Sequence, residues 1–128
     1  MSPENLKALV QAETERGDAA FAAAEKLIEA ALYYDAASRA YYAVFHCARA
    51  LCLVAGDEPR SHRGVAHLLN VNYVRPGHLM ADTSRIYAVL QQFRESADYD
   101  TSFVFDAAGG LEALDKAREF LRRARALL

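Results

Sequence analysis

Two cysteines, no long apolar run and no surplus of positive charge are what this sequence is short of, and each shortage removes a class of protein. Cys47 and Cys52 lie five residues apart in what reads as one helix. At about 100° per residue they point to different faces, so no bridge between them is expected. Sparse, unbridged cysteine fits a reducing cytoplasm. Nothing approaches the ~20 consecutive apolar residues of a membrane span, and no membrane association is expected. The start, Met1-Ser2-Pro3-Glu4-Asn5, has neither a basic stretch nor an apolar one, so no secretory signal is read there. A formal charge of −2 and a pI near 6.1 do not describe a protein built for non-specific nucleic-acid binding. Local basicity exists near the end, at Lys116, Arg118, Arg122, Arg123 and Arg125, opposed by Asp115 and Glu119. A solvated helix end that favours cations near its C-terminus is the ordinary account of it, and contact with RNA is the other. Metal-binding patterns are missing too. His62 and His67 are five apart, with no His-x-x-x-His and no paired-cysteine spacing. Gly109-Gly110 alone is no phosphate loop, so neither a metal nor a cofactor is expected.

What is present is helix. The 128 residues are 53% hydrophobic, enough for one domain spanning 1–128 with its own core. Ala, Leu, Arg and Glu dominate, and no alternating pattern of strands extends over a useful length. Pro3 and Glu4 open a first helix behind Ser2. Its apolar stripe is Leu6, Leu9, Val10, Phe21, Ala24, Leu27 and Ile28. Gly17 is a candidate break, but glycine inside a helix costs only about 1 kcal/mol. One long helix to about Leu32 is expected. A second runs from about Tyr34 to Ala55 and stops at Gly56. It is apolar on most sides, which marks it as the central helix. Ser61 caps a short third helix through Leu68, Leu69 and Val71, ended by Arg75-Pro76-Gly77. Asp82 or Thr83 caps a fourth, with Ile86, Leu90 and Phe93 in the core. Tyr99 to Phe105 reads as a loop. Asp106 caps the last helix unless Gly109-Gly110 delays its start, and Leu111, Leu114, Ala117, Leu121, Ala124 and Leu128 form its apolar face. The fold class is all-α, an up-down bundle of four to five antiparallel helices.

The few polar groups of the second helix are gathered rather than scattered. Asp35, Ser38, Arg39, Tyr42, His46 and Arg49 fall within an arc of about 100°. Either this is the solvated face, or it is a polar groove or dimer seam, for which Tyr42 and His46 speak because a solvated face needs neither. On the fourth helix Tyr87, Gln91, Arg94 and Asp98 are read as sharing one face, opposite Ile86, Leu90 and Phe93. Arg94 and Asp98 are spaced for an i,i+4 surface pair in its less favourable order, cation first. Facing polar stripes on these two helices, with seven tyrosines in the chain, make them the expected seam of a homodimer.

The string Ser38-Arg39-Ala40-Tyr41-Tyr42-Ala43-Val44-Phe45-His46-Cys47-Ala48-Arg49-Ala50-Leu51 resembles the central helix of the HEPN superfamily (higher eukaryotes and prokaryotes nucleotide-binding), in its small stand-alone prokaryotic branch. Ser61-His62-Arg63-Gly64-Val65 resembles the loop-to-helix segment of that branch. Arg94-Glu95-Ser96-Ala97-Asp98-Tyr99-Asp100 resembles its Arg-x-x-Ala-Asp-Tyr motif. The resemblance implies a helical bundle, usually homodimeric, often encoded beside a small nucleotidyltransferase. It also implies that some relatives are metal-independent ribonuclease toxins. In those, an Arg and a His separated by four to six residues meet their copies across the dimer in one RNA-cleaving cleft. Here Arg94 is present, but Tyr99 stands where the ribonuclease members have His. With a reference pKa near 10, tyrosine is a poor general base at neutral pH. Arg94 and Tyr99, which hold the motif positions, are nonetheless the candidate catalytic residues that the resemblance implies. Arg39, Tyr42, His46, His62, Tyr87 and Asp98 are the candidate ligand-binding residues, for RNA or a nucleotide. Tyr99 is also the residue the resemblance offers as acceptor of a nucleotide from a partner enzyme. Three functions follow: a nucleotide- or RNA-binding accessory protein working with a nucleotidyltransferase, a ribonuclease toxin, or an interaction module without a ligand.

Overall fold

The computed structural model describes residues 2–128, and the described residues form five α-helices and no strand. Met1, the first residue of the expected domain, lies outside the described residues. Helix α1 runs Pro3–Glu29. The Ser2 hydroxyl caps it by accepting from the Asn5 backbone N–H at 3.1 Å. It is continuous through Gly17, which does something other than break it. A Cβ at Gly17 would stand 3.0 Å from the Ala43 carbonyl oxygen and 3.6 Å from His46 Cβ. The missing side chain lets α1 lie close against α2, Tyr33–Val54.

Helix α1 stops three residues short of Leu32. Ala31 takes a left-handed backbone, φ 59°, and turns the chain directly into α2. Helix α2 is the centre of the bundle, with the other four helices packed around it. Small residues make that close packing feasible: Ala36, Ala37, Ala40, Ala43, Ala48 and Ala50 are all buried. Both cysteines are buried and free. Burial pushes the Cys47 thiol up to about 12 and the Cys52 thiol up to about 11.

Helix α3, His62–Leu69, begins with the Ser61 hydroxyl accepting from Gly64 N–H at 2.9 Å. It continues as a wider π-type turn over Asn70–Val74, up to the expected stop at Arg75-Pro76-Gly77. There the Tyr73 hydroxyl donates to the Leu51 carbonyl at 2.5 Å and pins the segment to α2. Helix α4, Thr83–Tyr99, includes Tyr99 as its last residue rather than releasing it to the loop. Asp82 precedes α4 without a side-chain capping bond, because its carboxylate is taken by Arg123 at 2.6 Å. Helix α5, Ala107–Arg125, starts without delay, capped by Asp106, which accepts from Gly109 N–H at 2.9 Å. Both glycines lie inside it, and Gly110 fits where a Cβ would come 2.7 Å from Ile28 Cδ1 and 3.1 Å from Tyr33 Cδ1. None of these helices is long and apolar enough to cross a membrane.

The basic C-terminal cluster is more neutralised than its sequence implied. Arg118 pairs with Asp115, Arg122 with Glu119, Arg123 with both Asp82 and Glu119, and Arg125 with Asp18 of α1. Lys116 stands 3.9 Å from Glu112. Asp82, Asp18 and Glu112 join the opposition only through folding and helix periodicity. Paired cations of this kind tie α5 to α1 and α4 and leave little free positive charge for a polyanion.

Candidate functional site

Arg94 is the residue around which the polar groups of α2, α3 and α4 gather. Its side chain is 11% exposed, so it is no surface ion. On α4 the stripe of Tyr87, Arg94 and Asp98 does not lie opposite the apolar row, as the sequence pattern suggested, but beside it: Tyr87 is buried together with Leu90, and Arg94 turns toward α2. The guanidinium carbon lies 5.3 Å from the centre of the Tyr41 ring and 5.7 Å from that of Tyr42, both on α2. Such contacts contribute about 0.5–1 kcal/mol each, more when water is excluded. Asp98 Oδ2 is 3.7 Å away, a distant pairing. Arg94 Nε has no hydrogen-bond partner and is the one buried side-chain nitrogen or oxygen in that condition among the described residues. Leaving a buried donor unmatched costs about 1–3 kcal/mol. Burial pulls the guanidinium toward losing its proton, but Tyr42, Tyr41, Asp98 and Tyr99 outweigh this and hold it above its ordinary value. It is a fixed, partly desolvated cation with an unused donor.

His62, the first residue of α3, reaches the same rings. Its Nδ1 lies 2.5 Å from the Tyr41 hydroxyl, which is also 3.3 Å from the Tyr87 hydroxyl. The imidazole stacks on Phe45 at 4.4 Å between ring centres and on Tyr41 at 5.6 Å. Burial, then the charge of Arg94, holds His62 below its ordinary value, with Glu95 pulling the other way. Burial also raises the Tyr41 hydroxyl above its ordinary value, partly offset by its bond to Tyr87.

His46 stands one helical turn beyond Tyr42. Its Nδ1 bonds Glu13 Oε2 at 2.7 Å, and Arg49 bonds the other oxygen of the same carboxylate. Arg49 Nε in turn donates to the Pro59 carbonyl at 3.2 Å, fastening the loop before α3. The His46 ring lies 5.3 Å from Phe45 and 6.4 Å from Tyr42. The Arg39 guanidinium covers the Tyr42 ring at 4.8 Å.

The structure thus brings together Arg94, Arg39, Tyr42, His46, His62 and Asp98 around two aromatic rings. Tyr87 contributes from within: it is buried and meets the others through the Tyr41 hydroxyl, not through solvent. Tyr99 stands apart, 77% exposed at the end of α4. The polar arc of α2 is divided: Arg39 is open, while His46 and Arg49 are covered by Glu13 from α1.

Sequence reasoning overlooked Tyr41 and Glu13. Tyr41 counts as core by position and is fully buried, yet a buried hydroxyl needs a partner, and His62 is it. Glu13 carries a readable signal. It falls between Val10 and Gly17 on the row that continues through Ala20 and Ala24, a carboxylate on the buried side of α1. A surface hollow of about 670 Å³ lies elsewhere, between α4 and α5. Asp82, Glu112, Asp115 and Glu119 line it beside Lys116 and Arg123, a lining that repels phosphate. Among the described residues no three His, Cys, Asp or Glu side chains gather in a metal-ligating group.

Comparison with known proteins places this arrangement. Residues 10–127 match the family described as HEPN domain. Two proteins of Methanocaldococcus jannaschii that carry the name "putative toxin" are similar. One is 32% identical over 89% of this chain and 92% of its own length. The other is 26% identical over 89% and 78%. A Thermotoga maritima protein named only as UPF0332 is 29% identical over 79% of this chain and 84% of its own. The crystal structure of TT1696 from Thermus thermophilus shares the fold, with a TM-score of 0.80 over 93% of this chain and 98% of that one, at 18% identity.

Proposed function

The chain belongs to the HEPN domain family, and from that premise we propose that it is a toxin-like HEPN protein that binds a phosphate of RNA or of a nucleotide at Arg94. The observation that carries this is a permanently charged, mostly buried guanidinium whose pairing with Asp98 spans 3.7 Å and so leaves its charge without a close partner. A phosphate is the partner such a cation suits, since arginine binds phosphate through charge-assisted bonds. His62, Tyr42 and Arg39 flank it with further donors and with aromatic faces for a base. A tyrosine in place of histidine at position 99 is no obstacle to this reading, because binding requires no proton transfer. Tyr99, exposed beyond Asp98, is free to meet the ligand or a partner enzyme. By resemblance to the small prokaryotic branch, the working form is a homodimer joined along α2 and α4, acting with a nucleotidyltransferase in the cytoplasm.

The second reading is a metal-independent ribonuclease. What favours it is that two imidazoles, His46 and His62, border the rings that hold Arg94, although Tyr99 occupies the motif position. One experiment separates the readings. Wild type and Arg94→Ala are titrated with single-stranded RNA and with a nucleoside triphosphate, and RNA integrity is followed with EDTA present. Binding without cleavage, lost in Arg94→Ala, is the result expected of a binding protein. Cleavage by the wild type supports the ribonuclease. Absence of any binding would leave a helical interaction module instead.

A further inference from the structure

His46 and Glu13 make a couple that phosphate binding does not use. Glu13 is a carboxylate almost out of water, on the buried side of α1, where a neutral residue would avoid the desolvation penalty. It accepts from His46 Nδ1, so the hydrogen on that ring sits at Nδ1 and Nε2 carries the lone pair. His46 Nε2 has no protein partner, and it is not among the buried atoms left unmatched. It therefore opens to solvent, and it does so from a ring set against Phe45 and Tyr42, the rings that also hold His62 and Arg94. Gly17, one turn after Glu13, allows the close approach of α1 to Ala43 and His46 on which the couple depends. An imidazole held at Nδ1 by a carboxylate, with Nε2 free, is the arrangement by which a histidine takes up and returns a proton.

We propose that His46 is the general base of a single-stranded RNA cleavage site, with Glu13 its positioning residue, in place of the imidazole absent from position 99. This rests on the reading that an RNA phosphate sits at Arg94, and it takes the second of the two functional readings further. His46 Nε2 takes the proton of a ribose 2′-hydroxyl. The 2′-oxygen bonds to the adjacent phosphorus as the bond from phosphorus to the 5′-oxygen breaks. A water molecule protonates the departing 5′-oxygen, and the Nε2 hydrogen returns to the hydroxide this leaves. Arg94 and His62 hold the phosphate oxygens throughout. The products are a 2′,3′-cyclic phosphate and a free 5′-hydroxyl, and the protein ends as it began.

The test uses the full chain, a mixed-sequence single-stranded RNA and excess EDTA, with product ends identified by mass. Wild type is expected to leave 2′,3′-cyclic phosphates. His46→Ala should lose about 100-fold or more in kcat and regain part of it with added free imidazole. Glu13→Gln should lower kcat with KM unchanged. Cleavage that survives His46→Ala overturns the proposal, as does a loss that imidazole leaves untouched or a Glu13→Gln effect confined to KM. RNA bound through Arg94 but never cut also overturns it, while sparing the phosphate-binding reading. RNA neither bound nor cut removes both.

Discussion

The Tyr41 hydroxyl lies 2.5 Å from His62 Nδ1, joining the central helix to the first residue of α3. That bond is what makes His62 part of the Arg94 cluster rather than a residue at a helix start. It also gives a buried hydroxyl its partner, with Tyr87 as the second at 3.3 Å.

Tyr41→Phe keeps the ring that faces Arg94 and removes only the hydroxyl. Both the bond to His62 and the contact with Tyr87 go, and the Tyr87 hydroxyl is left buried. Stability should fall by about 1–3 kcal/mol, read from urea unfolding. RNA affinity should weaken as His62 loses its anchor. Unchanged stability would mean that the hydroxyl pairing contributes nothing.

Gly17→Ala sets two effects against each other. Alanine is favoured over glycine in a helix by about 1 kcal/mol. Its Cβ would meet the Ala43 carbonyl oxygen at 3.0 Å, and that oxygen belongs to the backbone of α2, which cannot turn aside as a side chain does. Overpacking of this kind costs about 1–3 kcal/mol. The net change should be destabilising by about 1 kcal/mol, and a rise in Tm would show that α1 shifts freely.

Stability should depend on pH in two windows. His62 is held below its ordinary value of 6.5, so the unfolded chain binds its proton first. Its contribution is complete above 6.5 and is lost as the pH falls from there through the folded value. Replacing His62 with Asn should flatten the fall in urea midpoint between about pH 7 and about pH 5. A lower window belongs to Glu119, which its bonds to Arg122 and then Arg123 hold down at about 2, against 4.5 ordinarily. That contribution is present above 4.5 and disappears as the pH drops toward 2. A midpoint that stays level from neutral pH to pH 4.5 in the wild type would contradict the His62 assignment.

Arg94→Met separates a functional arginine from a structural one. Losing two cation–π contacts costs about 1–2 kcal/mol, while removing a buried, half-paired charge returns a similar amount. The variant should unfold within about 1 kcal/mol of wild type and bind no RNA. A large loss of stability would mark Arg94 as a packing element.

The helical architecture was legible because its signals are local. Ser2, Ser61 and Asp106 each cap the helix they precede, and the near-absence of polar residues around α2 put it at the centre. The boundaries that shifted did so for reasons beyond sequence pattern. Ala31 turns the chain out of α1 with a left-handed backbone that its side chain does not announce. Asp82 gives its carboxylate to Arg123, forty-one residues away, instead of to α4. The site was half legible. Arg94, Tyr42, His46 and His62 stood out by type and spacing, but their depth did not, since Arg94 and Asp98 read equally well as an exposed pair. Tyr41 was hidden by its buried position; the burial of Glu13 was readable from its row on α1, but its partners, far along the chain, were not. Only the packing of α1 on α2 brings Glu13 to His46.

A phosphate at the Arg94 guanidinium would be reported most directly by the Nε–H resonance of that side chain. The protein, labelled with nitrogen-15, is titrated with single-stranded RNA, and the arginine side-chain Nε–H signals are followed, with Arg94→Lys assigning the peak. The Arg94 signal is expected to move on binding more than that of any other arginine. A signal that stays fixed while RNA binds would place the ligand elsewhere than at Arg94.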